Sequence, residues 1–153
     1  GICASNMVSL NIGEDHKTSE NIKKRGAFTL SIADIPHIEA ADFFGIASGN
    51  SMADKFERTG LTAVKSEKVD APVVEEFPLT LECKVVETKN ERYGFHVIGE
   101  IVGVLAEESV LDEKGKVDPT KLNAFVFDQF QSGYYAIGEK VGQAWSTGAP
   151  LMK

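Results

Sequence analysis

Hydrophobic and polar positions set out most of the chain's elements. Val8, Leu10 and Ile12 alternate with Met7, Ser9 and Asn11, the period of a half-buried strand. A polar turn from Gly13 to Ser19 follows, then a short helix ending at Gly26, and Phe28, Leu30 and Ile32 alternate again. Ile35-Pro36 stops that strand and opens a helix with Ile38, Ala41 and Phe44 or Gly45 at helical spacing, closed by Gly49-Asn50. Ser51 with Asp54 reads as a capping box for a second short helix carrying Met52 and Phe56, and Gly60 suits its end. Val64 to Glu76 is charged and reads as a surface loop. Beyond it, Leu79, Leu81, Cys83 and Val85 are expected to face inward, with Thr80, Glu82 and Lys84 outward. Lys89-Asn90-Glu91-Arg92 makes a turn into a long strand from Tyr93 to Leu105. Tyr93, Phe95, Val97, Gly99 and Ile101 share one of its faces, and Gly94, His96, Ile98, Glu100 and Val102 the other. The two long strands are expected to pair antiparallel. Asp112 to Gly115 is another turn, Asp118-Pro119 starts a short helix, and Phe125-Val126-Phe127 and Tyr134 to Ile137 are short apolar elements. Strands dominate, and Gly94, Gly99 and Gly103 inside them suit the bends of a small barrel. The expected fold is mainly β, an antiparallel barrel with short inserted helices.

Composition narrows the functional classes. The 153 residues suit one domain, and 42% apolar with 25% charged is an ordinary soluble globular balance. A net charge of −7 and the lack of a basic face argue against nucleic acid. No apolar run is long enough to span a membrane, and no signal peptide is visible, so the expected location is the cytoplasm. Cys83, on the inward face of its strand, reads as a buried, inert thiol. Cys3 is open to a disulfide with it, although the absence of a secretory mark favours reduced thiols.

Candidate chemistry concentrates in one place. There is no P-loop, no Gly-x-Gly-x-x-Gly and no Gly-x-Ser-x-Gly elbow, and His16, His37 and His96 are scattered with no metal-ligand spacing. What remains is the strand that delivers Lys17, Thr18 and Ser19 to a helix start. Free backbone N–H groups, a hydroxyl and an ammonium there suit an anion such as phosphate. The alternative is that Thr18 or Ser19 only caps the helix. Glu14 and Asp15 lie beside this site and repel an anion unless they point away. His96 stands beside Gly94 and is either substrate-facing or a surface histidine. Tyr134-Tyr135 is either a stacking platform or a core-and-rim pair, and Lys23-Lys24-Arg25 reads as a solvated helix end.

The chain resembles the flavin reductase-like family of FMN-binding split barrels, above all its flavoredoxin-like branch. The likeness is carried by Cys3 to Leu10, Thr18-Ser19-Glu20-Asn21-Ile22, Ala40 to Gly45, Asp54-Lys55-Phe56 with Thr59-Gly60-Leu61-Thr62, and Asp70-Ala71-Pro72 before Glu76-Phe77-Pro78-Leu79. Leu81-Glu82-Cys83, Ile98-Gly99-Glu100-Ile101 and Tyr134 to Glu139 complete the ordered set, which runs nearly end to end. The resemblance implies a homodimeric split barrel holding FMN non-covalently near the subunit interface. Ala4, Ser5 and Asn6 would meet the flavin ring or ribityl chain, and His16, Lys17, Thr18 and Asn21 the phosphate end. It further implies an oxidoreductase, a flavin reductase or electron carrier, passing electrons from NAD(P)H through flavin to a small-molecule or protein acceptor. No residue is assigned as catalytic with certainty; His96 is the candidate on the nicotinamide side.

Three departures from the family pattern stand out. Many relatives begin with a further hairpin before the position of Gly1, so residues 1–153 read as a single domain lacking that hairpin. Relatives often carry Arg or Lys where Gly13 or Glu14 stands, and broader reductases a His where Gly94 stands. Glu14, Asp15 and the missing basic position motivate a second reading, a non-catalytic dimeric barrel that binds a partner and has lost flavin.

Overall fold

The computed structural model describes residues 1–152. Its elements are β1 (Ile2–Ala4), β2 (Met7–Ile12), α1 (Lys17–Arg25), β3 (Ala27–Ile32), α2 (Ile38–Ile46), β4 (Ala63–Lys65), β5 (Pro72–Val74), β6 (Leu79–Glu91), β7 (Gly94–Ala106), β8 (Phe125–Asp128) and β9 (Gly133–Ala136), with one-turn 3-10 segments between. Five strands form one antiparallel sheet in the order β1-β2-β7-β6-β3, while β4-β5 and β8-β9 are separate hairpins. The sheet is split: β1 and β3 are its two edges and do not pair with each other.

Register follows the alternation. Val8 lies opposite Gly99, Leu10 opposite Val97 and Ile12 opposite Phe95, while Phe28 lies opposite Cys83. These residues and Leu81 form the main core, closed on one side by Ile22 of α1. Each such side chain contributes about 1.5–3 kcal/mol through burial. α1 stops at Gly26, which takes the left-handed conformation and donates its N–H to the Ile22 carbonyl. A smaller cluster of Val110, Leu122 and Ala124 ties the C-terminal third to Ile32 and Leu79. No described helix is long and apolar enough to cross a membrane, which says nothing about strands.

Several local expectations change. Thr80 and Glu82 do not face water; both are buried, because the loop around Ser66 folds over that end of the sheet. Ser66 Oγ donates to Glu82 Oε1 at 2.6 Å, and Thr80 shares a hydroxyl contact with Ser31 at 2.8 Å. Bulges at Glu82/Cys83 and Val85/Glu87 interrupt strict alternation in β6. β6 also runs through Lys89–Glu91, so the turn is the Arg92-Tyr93 pair, with Tyr93 exposed instead of on the inner face. Gly94 then adopts φ 142°, and a Cβ there would come 2.8 Å from the Ile12 carbonyl oxygen.

The capping box at Ser51 does not form. Ser51 Oγ donates to the Ser48 carbonyl and Asp54 pairs with Arg58, leaving turns and a 3-10 segment, Glu57–Thr59, in place of a helix. The stretch read as a surface loop contains the β4-β5 hairpin. Asp118-Pro119 opens only a turn, in which Asp118 Oδ1 accepts from the Thr120 amide and hydroxyl. Lys23 and Arg25 are not simply solvated: Lys23 lies over the Phe95 ring at 4.5 Å and Arg25 pairs with Asp70. Cys3 is exposed, Cys83 is buried, and both are free thiols.

Candidate functional site

The start of α1 is built by its own turn. The His16 amide donates to the Gly13 carbonyl at 3.1 Å, and Ser19 Oγ donates to the same carbonyl at 2.7 Å. The Ser19 and Glu20 amides both donate to the His16 carbonyl. Ser19 is therefore buried and committed, available neither as a cap nor as an anion ligand. His16 holds the cap position without a side-chain cap bond, so neither Thr18 nor Ser19 caps the helix. Among the described residues, the amides of Lys17 and Thr18 find no protein acceptor, which leaves two donors and the positive end of the helix dipole pointing outward.

Those donors open beside a cavity of about 730 Å³. His16, Lys17, Thr18 and Asn21 form its α1 wall, and the segment from Phe44 to Phe56 forms the other. Asn50 Nδ2 donates to the Asp15 carbonyl at 2.7 Å, clamping the two walls together. Phe44 and Phe56 stack with centroids 5.8 Å apart and planes 19° from parallel, giving an apolar floor. Lys55 Nζ donates to the Phe44 carbonyl at 2.7 Å, near the end of α2. The Lys17 stem runs close over Gly49, and its ammonium meets Glu20 at 2.7 Å in an exposed pair. The Lys17 hydrogen bond and charge hold the Glu20 carboxyl below its ordinary range. An incoming dianion competes for Lys17 at little cost, because an exposed pair of this kind is weak.

The neighbouring acids are turned aside. Glu14 Oε1 accepts from Asn90 Nδ2 at 2.7 Å and Lys23 Nζ at 3.4 Å, and neither Glu14 nor Asp15 lines the cavity. The other sequence-derived site residues lie elsewhere. Ala4, Ser5 and Asn6 occupy the exposed β1-β2 turn at the far end of β2, about 20 Å of strand away. Asn6 Nδ2 there donates to Glu100 Oε1 at 3.2 Å. His96 stands on the sheet face away from the core, with Nε2 2.8 Å from Ser9 Oγ. The structure thus gathers His16, Lys17, Thr18 and Asn21 and leaves Ala4–Asn6 and His96 apart. Phe44, Lys55 and Phe56 were not assigned to the site from sequence, although they fall in stretches that carry the family likeness. A second cavity, of about 550 Å³, flanks the opposite side of α1 and shares Thr18 and Asn21 with the first. No group of three or more His, Cys, Asp or Glu side chains able to hold a metal occurs among the described residues.

Comparison with known proteins gives this geometry a setting. The family described as "Flavin reductase like domain" matches residues 2–132. The flavoredoxin of Desulfovibrio vulgaris (Miyazaki F) is 39% identical and superposes with a TM-score of 0.90, over 97% of this chain and 80% of that one. The flavoredoxin from Methanosarcina acetivorans is 28% identical with a TM-score of 0.87, over 95% of this chain and 76% of that one. An uncharacterised protein of Archaeoglobus fulgidus is 31% identical over 73% of this chain, which spans 63% of that relative's length.

Proposed function

The chain belongs to the flavin reductase-like family and has its antiparallel split-barrel fold, and on that premise we propose that it is an FMN-binding oxidoreductase whose phosphate site is the start of α1. The observation that carries this reading is the pair of unpartnered amides at Lys17 and Thr18, opening with the Lys17 ammonium onto a cavity of about 730 Å³. In this reading the two amides, the Thr18 hydroxyl and Lys17 hold the phosphate, with His16 and Asn21 beside them. FMN supplies hydride acceptance and onward electron transfer. The chain's own task is to bind and orient it, and the Phe44–Phe56 floor keeps water from one wall of the cavity. The electron donor is NAD(P)H, with His96 held by Ser9 on the nicotinamide side, the acceptor is a small molecule or a protein, and the working form is a homodimer. The flavin-free binding module keeps only the missing basic position as its motive, since neither Glu14 nor Asp15 lines the cavity.

The test is direct. The purified chain is expected to be yellow or to take up added FMN, and to bleach on addition of NADH or NADPH. Lys17→Ala is expected to weaken FMN binding by about ten- to a hundred-fold, the worth of one charge-assisted contact. Glu14→Gln should leave affinity within about twofold, since Glu14 faces away. A colourless protein that ignores FMN overturns the reading, and unchanged affinity in Lys17→Ala removes the start of α1 from it.

A further inference from the structure

Ser48, Gly49 and Asn50 form a corner just beyond α2 that is tied together from within. The Ser48 carbonyl accepts from the amides of Ser51 and Met52, at 3.2 and 3.0 Å, and from Ser51 Oγ at 3.3 Å. Ser48 Oγ accepts from the Asn50 amide, a local side-chain bond that holds the chain reversal in shape. The corner's connection to α1 is thinner. Among the described residues one hydrogen bond crosses to that side, Asn50 Nδ2 donating to the Asp15 carbonyl at 2.7 Å. Asn50 is exposed and does not line the cavity of about 730 Å³, whereas Ser48 and Gly49 do. Its side chain therefore serves no ligand directly; it sets where the two walls stand.

What it sets is the phosphate end. Asp15 belongs to the turn that presents the free amides of Lys17 and Thr18, closed by the His16 amide and Ser19 Oγ on the Gly13 carbonyl. Across the gap, the Gly49 backbone lies against the Lys17 stem. A Cβ on Gly49 would sit 3.1 Å from Lys17 Cβ and 3.4 Å from its Cγ. One bond thus fixes both the turn behind the amide donors and the corner that confines the stem of the ammonium. We propose that Asn50 is a positioning residue that holds Lys17 and the two amides in place, and so makes the site prefer a phosphorylated flavin to riboflavin. Donors already in place bind a dianion without the ordering cost that loose donors pay. The Phe44–Phe56 stack and the Lys55 bond to the Phe44 carbonyl lie outside this connection, so its loss falls on the phosphate end and spares the apolar floor. The proposal rests on the reading of this cavity as the FMN phosphate site.

FMN and riboflavin differ only in the phosphate, so titrating the protein with each isolates that end of the site. Asn50→Ala is expected to weaken FMN binding about five- to tenfold, the worth of one hydrogen bond, while riboflavin binding stays within about twofold. The loss should appear as faster FMN dissociation. Asn50 is exposed, so the variant keeps the fold. Ser51→Ala removes a hydroxyl bond inside the corner that the Ser51 and Met52 amides duplicate, and should leave both affinities within about twofold. In a Lys17→Ala background, Asn50→Ala should cost less than it does in the wild type, because part of what Asn50 positions is already gone. Equal weakening of FMN and riboflavin, an unchanged FMN affinity, or an undiminished loss in the Lys17→Ala background each overturns the role of Asn50 and leaves the flavin reading standing. A wild-type protein that takes up neither FMN nor riboflavin overturns the flavin reading and this proposal with it.

Discussion

Glu82 and Cys83 are neighbours on β6 that alternation would send to opposite faces, yet both are buried. Cys83 was legible because its own strand set its environment: Leu81 and Phe28 surround it in the core. Glu82 was not, because what covers it is Ser66, sixteen positions earlier on a loop with no period of its own. The consequence for Cys83 is chemical. Burial pushes its thiol up to about 11 from the ordinary 9. Below pH 9 the thiol is neutral in both folded and unfolded chains, and its burial is fully stabilising. Between about 9 and 11 the unfolded chain loses the proton that the folded chain keeps, so stability falls as pH rises, by about 2–3 kcal/mol over two units. Denaturation curves of Cys83→Ala should lack this part of the alkaline loss. At neutral pH a thiol reagent should titrate only Cys3 in the folded protein and both cysteines in denaturant; rapid reaction of two thiols without denaturant contradicts the burial.

At the scale of elements, strands and their facing were readable, while turn lengths and caps were not. Strand period survives in sequence because it repeats over six to thirteen residues. A cap depends on single hydrogen bonds, and these went to other acceptors at Ser51 and Ser19. The α1 half of the candidate site was likewise local, a strand, a turn and a helix start within twenty residues. Its other wall is held by the Asn50–Asp15 bond, a contact thirty-five positions apart that no local pattern announces. The joint between β7 and β3 shows how tightly the elements fit. A Cβ on Gly99 would sit 2.6 Å from Phe28 Cζ and 3.3 Å from Cys83 Cβ. Phe28 is itself in the buried core and has nowhere to go. Gly99→Ala should therefore cost about 1–3 kcal/mol by overpacking. Phe28→Leu removes the ring edge that the methyl would strike, so the double variant should be less destabilised than the sum of the two single changes. Chemical denaturation of the four proteins measures the difference, and strict additivity would place the Cβ in open space.

The whole molecule joins a well-packed sheet to an apolar arm and hairpin that its own fold leaves uncovered. A chain of net charge −7 resists close approach of a second copy, so in the proposed homodimer the apolar contact has to outweigh like-charge repulsion. This opposition sets how stability should respond to conditions. In the proposed homodimer mass action stabilises the folded state, and Tm should climb by about 2 °C for each tenfold rise in protein concentration. Added salt screens the repulsion between the two acidic copies. It should therefore raise Tm at fixed protein concentration. Differential scanning calorimetry across protein concentration and salt decides the matter. A Tm indifferent to protein concentration would overturn the homodimer and confine the charge to acting within each protomer.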